Sequence, residues 1–120
     1  MSFTTEMKED QMILTENGET LCWLKETLSQ GHALVELGGK LRGDPAYVFL
    51  DELNALASVK MDITLDLNQV EYLSNAHIQA MRVVQRSEDQ KGKELVLKNL
   101  SAAAKSALDS VGASALFDIR

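Results

Sequence analysis

Few side chains in this chain could carry out chemistry, and they are scattered. Cys22 is the only cysteine and lies in the apolar stretch 21–24, which favours a buried structural thiol over a nucleophile. The two histidines, His32 and His77, are far apart in sequence, and no cluster has the spacing of a zinc site. We therefore expect neither a metal nor a cofactor.

Three acidic residues near the middle of the chain, Asp62, Asp66 and Glu71, could in principle pair for acid–base work. Their alternation with apolar residues instead favours a solvated strand face. No glycine-rich phosphate loop and no Gly-x-Ser-x-Gly motif is present, since Gly38–Gly39 is only a pair. With no visible nucleophile–base pair, we expect that the protein is not an enzyme.

The segment 65–78 runs from a predicted strand, through a bend, to the start of a predicted helix. Ser74 or Asn75 can cap that helix. The unpaired N–H groups and the positive end of the helix dipole are also suited to an anion or a phosphorylated side chain. The sequence leaves both interpretations open, with a simple cap as the plainer one.

The elements that position this segment follow from hydrophobic periodicity. Residues 23–28 and the strand Ala33–Leu37 are predicted to form an antiparallel hairpin whose loop is longer than two residues. Asp44 is a good N-cap and Pro45 suits the first position of the following helix. Helices are predicted near 45–58, 75–90 and 101–111, and further strands at Ile63–Leu67, Leu95–Leu97 and 116–119.

The predicted order β-β-α-β-α-β-α-β indicates an α/β fold, a mixed sheet with crossover helices packed on it. The Ile63–Leu67 and Leu95–Leu97 strands should pair in parallel. At 120 residues the chain has room for one domain. We assign that domain to residues 21–120, and residues 1–20 to a partly ordered, irregular N-terminal extension that caps the fold.

The charge balance limits the partners. Twelve basic against 18 acidic side chains give a net charge of −6, which disfavours nucleic acid and anionic membrane surfaces. No apolar run approaches the ~20 residues that span a bilayer, and the N-terminus has no signal-peptide pattern. We expect a cytoplasmic monomer or weak dimer, with no membrane insertion and no nucleic-acid partner.

Several motifs, taken in order, resemble the STAS family, the fold of bacterial anti-sigma factor antagonists. The segment 33–44, Ala-Leu-Val-Glu-Leu-Gly-Gly-Lys-Leu-Arg-Gly-Asp, is similar to the family's strand, turn and helix start. The later family strands resemble Leu65–Val70 and Gly92–Leu97, and the final helix and strand match Gly112 and Leu116–Phe117. The resemblance covers about residues 22–120 and implies a signalling module in transcription regulation.

The resemblance is weakest at the family's functional loop, which usually reads Asp-Ser-Ser-Gly. Aligned on Leu73, this chain has Ser74, Asn75, Ala76 and His77. Asn75 therefore stands where the phosphoacceptor serine would be, and an amide cannot be phosphorylated. Ser74 is the candidate phosphorylation site that remains, although it occupies the aspartate's place and little phosphate transfer to it is expected.

The resemblance implies a protein partner of the anti-sigma factor or kinase type. We expect it to contact residues 74–77 together with Gln79 and Arg82, with the His77 side chain pointing outward. Its replacement of glycine could enlarge the contact surface or be a neutral surface change. The alternative function is that of an accessory or structural STAS subunit in a larger assembly, either stressosome-like or a lipid-transport ABC complex.

Overall fold

The structure is a computed structural model that describes residues 3–43 and 45–120. Seven strands and three helices lie in these residues, with a short 3₁₀ turn at Ser114–Leu116. In chain order the elements are β1 (Thr4–Lys8), β2 (Gln11–Glu16), β3 (Glu19–Ser29), β4 (His32–Leu41), α1 (Ala46–Ser58), β5 (Asp62–Leu73), α2 (Asn75–Gln90), β6 (Leu95–Lys98), α3 (Ala102–Ser110) and β7 (Asp118–Ile119).

The strands form one sheet whose order in space is their order in sequence. β1 to β4 pair antiparallel, while β4 to β7 pair parallel through the crossover helices. Ile63 lies opposite Leu95, and Leu65 opposite Leu97. The predicted parallel pairing and the mixed α/β fold are both confirmed.

The predicted irregular extension at residues 1–20 was wrong for residues 4–16. These residues form the β1–β2 hairpin, and β2 pairs with β3. Met12 and Leu14 are buried in the core, because they face the same side as Cys22 and Leu24 on the paired strand. The sequence interpretation failed here because the many polar residues lie on the hairpin's exposed positions and conceal a short alternating pattern.

The β3–β4 hairpin also departs from its prediction. Ser29 lies opposite His32, so the loop contains only Gln30 and Gly31. Both residues have positive φ, 49° and 79°, as expected of the tight turns that match strand twist. The predicted longer loop was wrong because residues 29 and 32, which look like turn residues, continue the strands.

The Gly38–Gly39 pair in β4 has a steric cause. The Trp23 ring of β3 lies over Gly38, where an added Cβ would come within 2.2 Å of Trp23 Cε2. Gly39 has φ +82°, and a Cβ there would be 2.6 Å from the Leu21 carbonyl oxygen. Glycine is therefore required at both positions by close approach, and at Gly39 also by conformation.

Helix α1 begins at Ala46, with Pro45 at its N-cap. The predicted cap, Asp44, lies outside the described residues. The buried face of α1 consists of Phe49, Leu53, Leu56 and Ala57. α1 packs beside α2, and both cover apolar residues of the central strands.

Helix α2 carries two fully buried polar side chains among its apolar ones. His77 and Glu88 are both 0% exposed, as are Met81 and Val84. Spacings of four, three and four residues place all four side chains on the helix face that meets the sheet. The stripe predicted from Ile78, Met81 and Val84 is confirmed, but it continues to a histidine at one end and a glutamate at the other.

Both carboxylate oxygens of Glu88 are buried and have no hydrogen-bond partner among the described residues. Burial, followed by the charge of Asp62, raises the Glu88 pKa to about 7. The folded protein therefore holds a proton that the unfolded chain releases near pH 4.5. The resulting stability is present below about pH 4.5 and is lost as pH rises through about 7.

We predict that Glu88→Gln raises the melting temperature at pH 8 by about 4 °C or more, since a neutral amide need not ionise in the core. At pH 5 parent and variant should melt at similar temperatures. Circular dichroism melts at both pH values measure this. Glu71→Gln, which removes a carboxylate from an exposed position, is the matched control and should leave the pH dependence unchanged. Equal pH dependence in the parent and Glu88→Gln would contradict the assignment.

Candidate functional site

The candidate site lies at the junction between β5 and α2, where Ser74 holds the start of the helix in place. Ser74 caps the helix, with its Oγ accepting a hydrogen bond from the His77 N–H at 3.2 Å. Its own N–H donates to the Leu41 carbonyl oxygen at 2.8 Å. The helix start is thereby tied to the end of β4, and the cap expected at Ser74 or Asn75 is Ser74.

His77 does not point outward, so that prediction was wrong. Its Nδ1 lies 2.7 Å from Ser74 Oγ, and its ring packs against Phe49 at a centroid distance of 5.3 Å. Nε2 is buried with no hydrogen-bond partner among the described residues. Position 77 shares the core-facing side of α2 with Met81 and Val84, and a polar residue type conceals this in the sequence.

Burial lowers the pKa of His77 to about 4, so the imidazole is neutral near pH 7. The unfolded chain takes up a proton as pH falls through about 6.5, while the folded protein does so only near 4. The stability that comes from burying the neutral ring is therefore present above about pH 6.5 and lost as pH falls toward 4. His77 is part of the support beneath the site.

Three of the predicted contact residues do share an exposed surface. Asn75, Ala76 and Gln79 are exposed along the first turns of α2. Arg82 is only partly buried, and its guanidinium donates to Gln85 Oε1 at 2.5 Å. Gln85 in turn donates to the Leu116 carbonyl oxygen, which directs Arg82 toward the C-terminal part of the chain.

Apolar grooves flank this surface on both sides, and sequence reasoning missed them. Between α1 and α2, a groove with Tyr47 and Val83 on its rim is bounded at one end by Ala76 and Gln79. Between α2 and α3, a second groove includes Tyr72, Asn75 and Val111. Tyr47 is 73% exposed. The available signal was that these large residues fall outside the buried stripes of their elements.

The charge of this surface differs from that of the whole chain. From Asn75 to Arg86, α2 contains two arginines, Arg82 and Arg86, and no acidic residue. The helix N-terminus adds partial positive charge. A protein of net charge −6 thus presents a neutral to positive surface at the candidate site.

The other residues considered for catalysis, Cys22 and the acidic residues of β5, do not lie together in one site. Cys22 is buried, as expected, and burial raises its pKa to about 11. Asp62 and Asp66 lie four residues apart on extended β5, about 13 Å along the strand. Asp62 accepts a hydrogen bond from the Glu94 N–H, and Asp66 accepts from Asn99. Residues 3–43 and 45–120 contain no group of three or more side chains suited to hold a metal ion.

The family is identified by sequence. A family model described as "Mlab, STAS domain" matches residues 25–118. This chain belongs to the STAS domain family. No curated protein is significantly similar to it over its sequence.

Solved structures show the same fold. An anti-sigma factor antagonist from Mycobacterium paratuberculosis superposes with a TM-score of 0.72 at 13% identity, covering 82% of this chain and 84% of that one. The anti-sigma factor antagonist SpoIIAA in its unphosphorylated form gives 0.70 at 9% identity, covering 81% and 87%. An anti-sigma-factor antagonist (STAS) domain protein from Planctomyces limnophilus gives 0.70 at 12% identity, covering 80% and 87%.

In residues 3–43 and 45–120, no helix has the length and apolar character needed to cross a bilayer.

We predict that His77→Ala destabilises the protein by about 2–4 kcal/mol, because it opens a cavity beside Phe49 and removes the contact with Ser74. The chain's other histidine supplies the control. His32 is exposed and bonds Thr64 at the sheet surface, so His32→Ala should cost no more than about 1 kcal/mol. Urea denaturation at pH 7.5 compares the two, and equal losses would contradict the buried role of His77.

Proposed function

We propose that this chain is a non-catalytic protein-binding regulatory module of the anti-sigma factor antagonist type. The observation that carries the proposal is the exposed start of α2, where Ala76 and Gln79 line an apolar groove with Tyr47 on its rim. Asn75, also exposed, lines the second groove, between α2 and α3. An exposed aromatic residue next to adaptable polar side chains is characteristic of protein-binding surfaces. The partner is an anti-sigma factor or a kinase-type domain.

The partner should contribute an apolar side chain to the α1–α2 groove and a carboxylate near Arg82 or Arg86. The groove supplies burial, since Tyr47 and Val83 are 73% and 46% exposed in the free chain. The arginines supply charge complementarity, which governs orientation and association rate more than affinity. Docking onto a helix start also explains why that start is anchored so firmly by Ser74.

We expect that phosphorylation does not switch partner binding at this surface on and off. Asn75 has no hydroxyl, and the resemblance to the family's loop, aligned on Leu73, puts it at the phosphoacceptor position. Ser74 Oγ is engaged by the His77 N–H and Nδ1, so a kinase would have to break the helix cap to reach it. Little phosphate transfer to Ser74 is expected, and the module stays in the state that resembles the unphosphorylated form.

A second candidate function is favoured by the match to the Mlab, STAS domain family. In that case the chain is an accessory or structural subunit of a larger assembly, stressosome-like or a lipid-transport ABC complex. A permanently unphosphorylated docking surface fits a constitutive subunit as well as a regulator. Affinity capture from the source cell followed by mass spectrometry distinguishes the two functions. The first predicts that an anti-sigma factor is captured, and the second predicts an ATPase subunit.

We predict that Asn75→Glu abolishes partner capture while the protein still folds. A carboxylate at a helix N-terminus is tolerated or slightly stabilising, by ~0.3–1 kcal/mol. The same charge buried without a partner in an interface costs a few kcal/mol, roughly a hundredfold in affinity per ~2.7 kcal/mol. Asn75→Ser should bind almost as the parent does. Calorimetric titration of the captured partner against each variant measures the effect.

Gln90→Glu is the matched control, because it adds the same charge at the exposed far end of α2. It should leave binding unchanged, and melting curves should show all variants folded. If Asn75→Glu binds as tightly as the parent, the start of α2 is not the interface.

A further inference from the structure

β1 is an edge strand whose outer side pairs with no other strand in the described part of the chain. All five of its residues, Thr4–Lys8, are exposed. Such an edge presents free N–H and C=O groups and is a template for pairing with another strand. The sequence of β1 restricts which strand can pair with this edge.

Backbone geometry restricts which residues of β1 can form hydrogen bonds with an added strand. β1 and β2 are joined by the two-residue loop Glu9–Asp10, with Lys8 opposite Gln11. In such hairpins the pair next to the loop is hydrogen-bonded, so the N–H and C=O groups of Lys8 and Glu6 point toward β2. Those of Thr5 and Met7 point outward. Antiparallel pairing of two β1 strands must therefore place Thr5 or Met7 of one copy opposite Thr5 or Met7 of the other.

Three registers satisfy this condition, and charge selects one of them. Centring on Thr5 leaves Glu6 against Thr4, and centring on Glu6 puts two carboxylates directly opposite each other. Centring on Met7 places Glu6 opposite Lys8 of the second copy, and Lys8 opposite its Glu6. Opposite charges in directly facing positions stabilise a strand pair, and like charges destabilise it.

The apolar face favours the same register. Met7 lies opposite Met12, and Met12 opposite Leu24, so the three form a row on the sheet face next to α1. Met7 ends this row and is 64% exposed. Centring on Met7 sets the two methionines against each other and continues the row across both chains, while the Glu6–Lys8 pairs lie on the opposite face.

We propose that two copies of this chain associate through antiparallel β1–β1 pairing centred on Met7, forming one fourteen-stranded sheet with two-fold symmetry. In this register residues 6–8 of each chain face one another and Thr5 faces the turn residue Glu9 of the second copy. The interface is therefore small, and we expect a weak dimer that forms at chain concentrations between about 10 µM and 1 mM. The edge is separate from the α2 surface, so this assembly and partner docking succeed or fail independently.

Charge reversal tests the pairing. Sedimentation equilibrium of the full chain should show a monomer–dimer equilibrium. Glu6→Lys and Lys8→Glu should each weaken it by about tenfold or more, because each creates two like-charge contacts. An equimolar mixture of the two variants should dimerise at least as well as the parent, and the double variant Glu6→Lys/Lys8→Glu should dimerise alone. A parent that stays monomeric at 1 mM, or a mixture that fails to associate, overturns the proposal.

Cysteine cross-linking tests the register. Facing Cα atoms in the proposed pair are about 5.5 Å apart, within disulfide reach. Under mild oxidation Met7→Cys should form a covalent dimer efficiently, whereas Glu6→Cys should not, and the native thiol is buried. Preferential cross-linking of Glu6→Cys would show that the strands pair in another register and would reject the arrangement centred on Met7.

Discussion

The hydrogen bonds of Ser74 and the position of the His77 ring connect the sheet to the exposed start of α2. Ser74 binds the end of β4 through its N–H and the first turn of α2 through its hydroxyl. The His77 ring packs on Phe49 and so forms one of the contacts between α2 and α1. The exposed side of α2 and the groove beside Tyr47 take their shape from these contacts, so the core beneath the site determines the surface above it.

This arrangement gives a physical account of residues 74–77, which the proposed function aligns with the family's loop. In that alignment His77, at the glycine position, fills the core with its ring, and Ser74, at the aspartate position, contacts that ring. The two replacements are complementary, since each supplies a hydrogen-bonding group to the other. Asn75, between them, is left exposed with no buried partner, which places it where a protein partner can contact it. The segment 74–77 is built around a neutral, internally bonded pair, Ser74 and His77.

The sequence predicted the parallel half of the fold well and the antiparallel half poorly. The three helices have periodic segments with clear starts and stops, such as Pro45, Ser101 and Gly92, and local physics decides them. β1 and β2 are short, and their pairing depends on contact with β3, which no local pattern reveals. Within the site, the exposed residues Asn75 and Gln79 were found because they are polar at a helix start. His77 was misplaced because residue type suggested the surface, whereas its helical phase with Met81 and Val84 placed it in the core.

The agreement between strand order in space and strand order in sequence has a consequence for how the chain folds. Each strand needs only its neighbour along the chain to begin pairing, and no strand must wait for a distant segment to insert beside it. Low separation between pairing segments reduces the loop entropy lost before contacts form, and it correlates with faster folding. The sheet can therefore grow one strand at a time, with each new strand pairing with the one that precedes it in the chain. A chain leaving the ribosome could build this fold in the order in which it is synthesised.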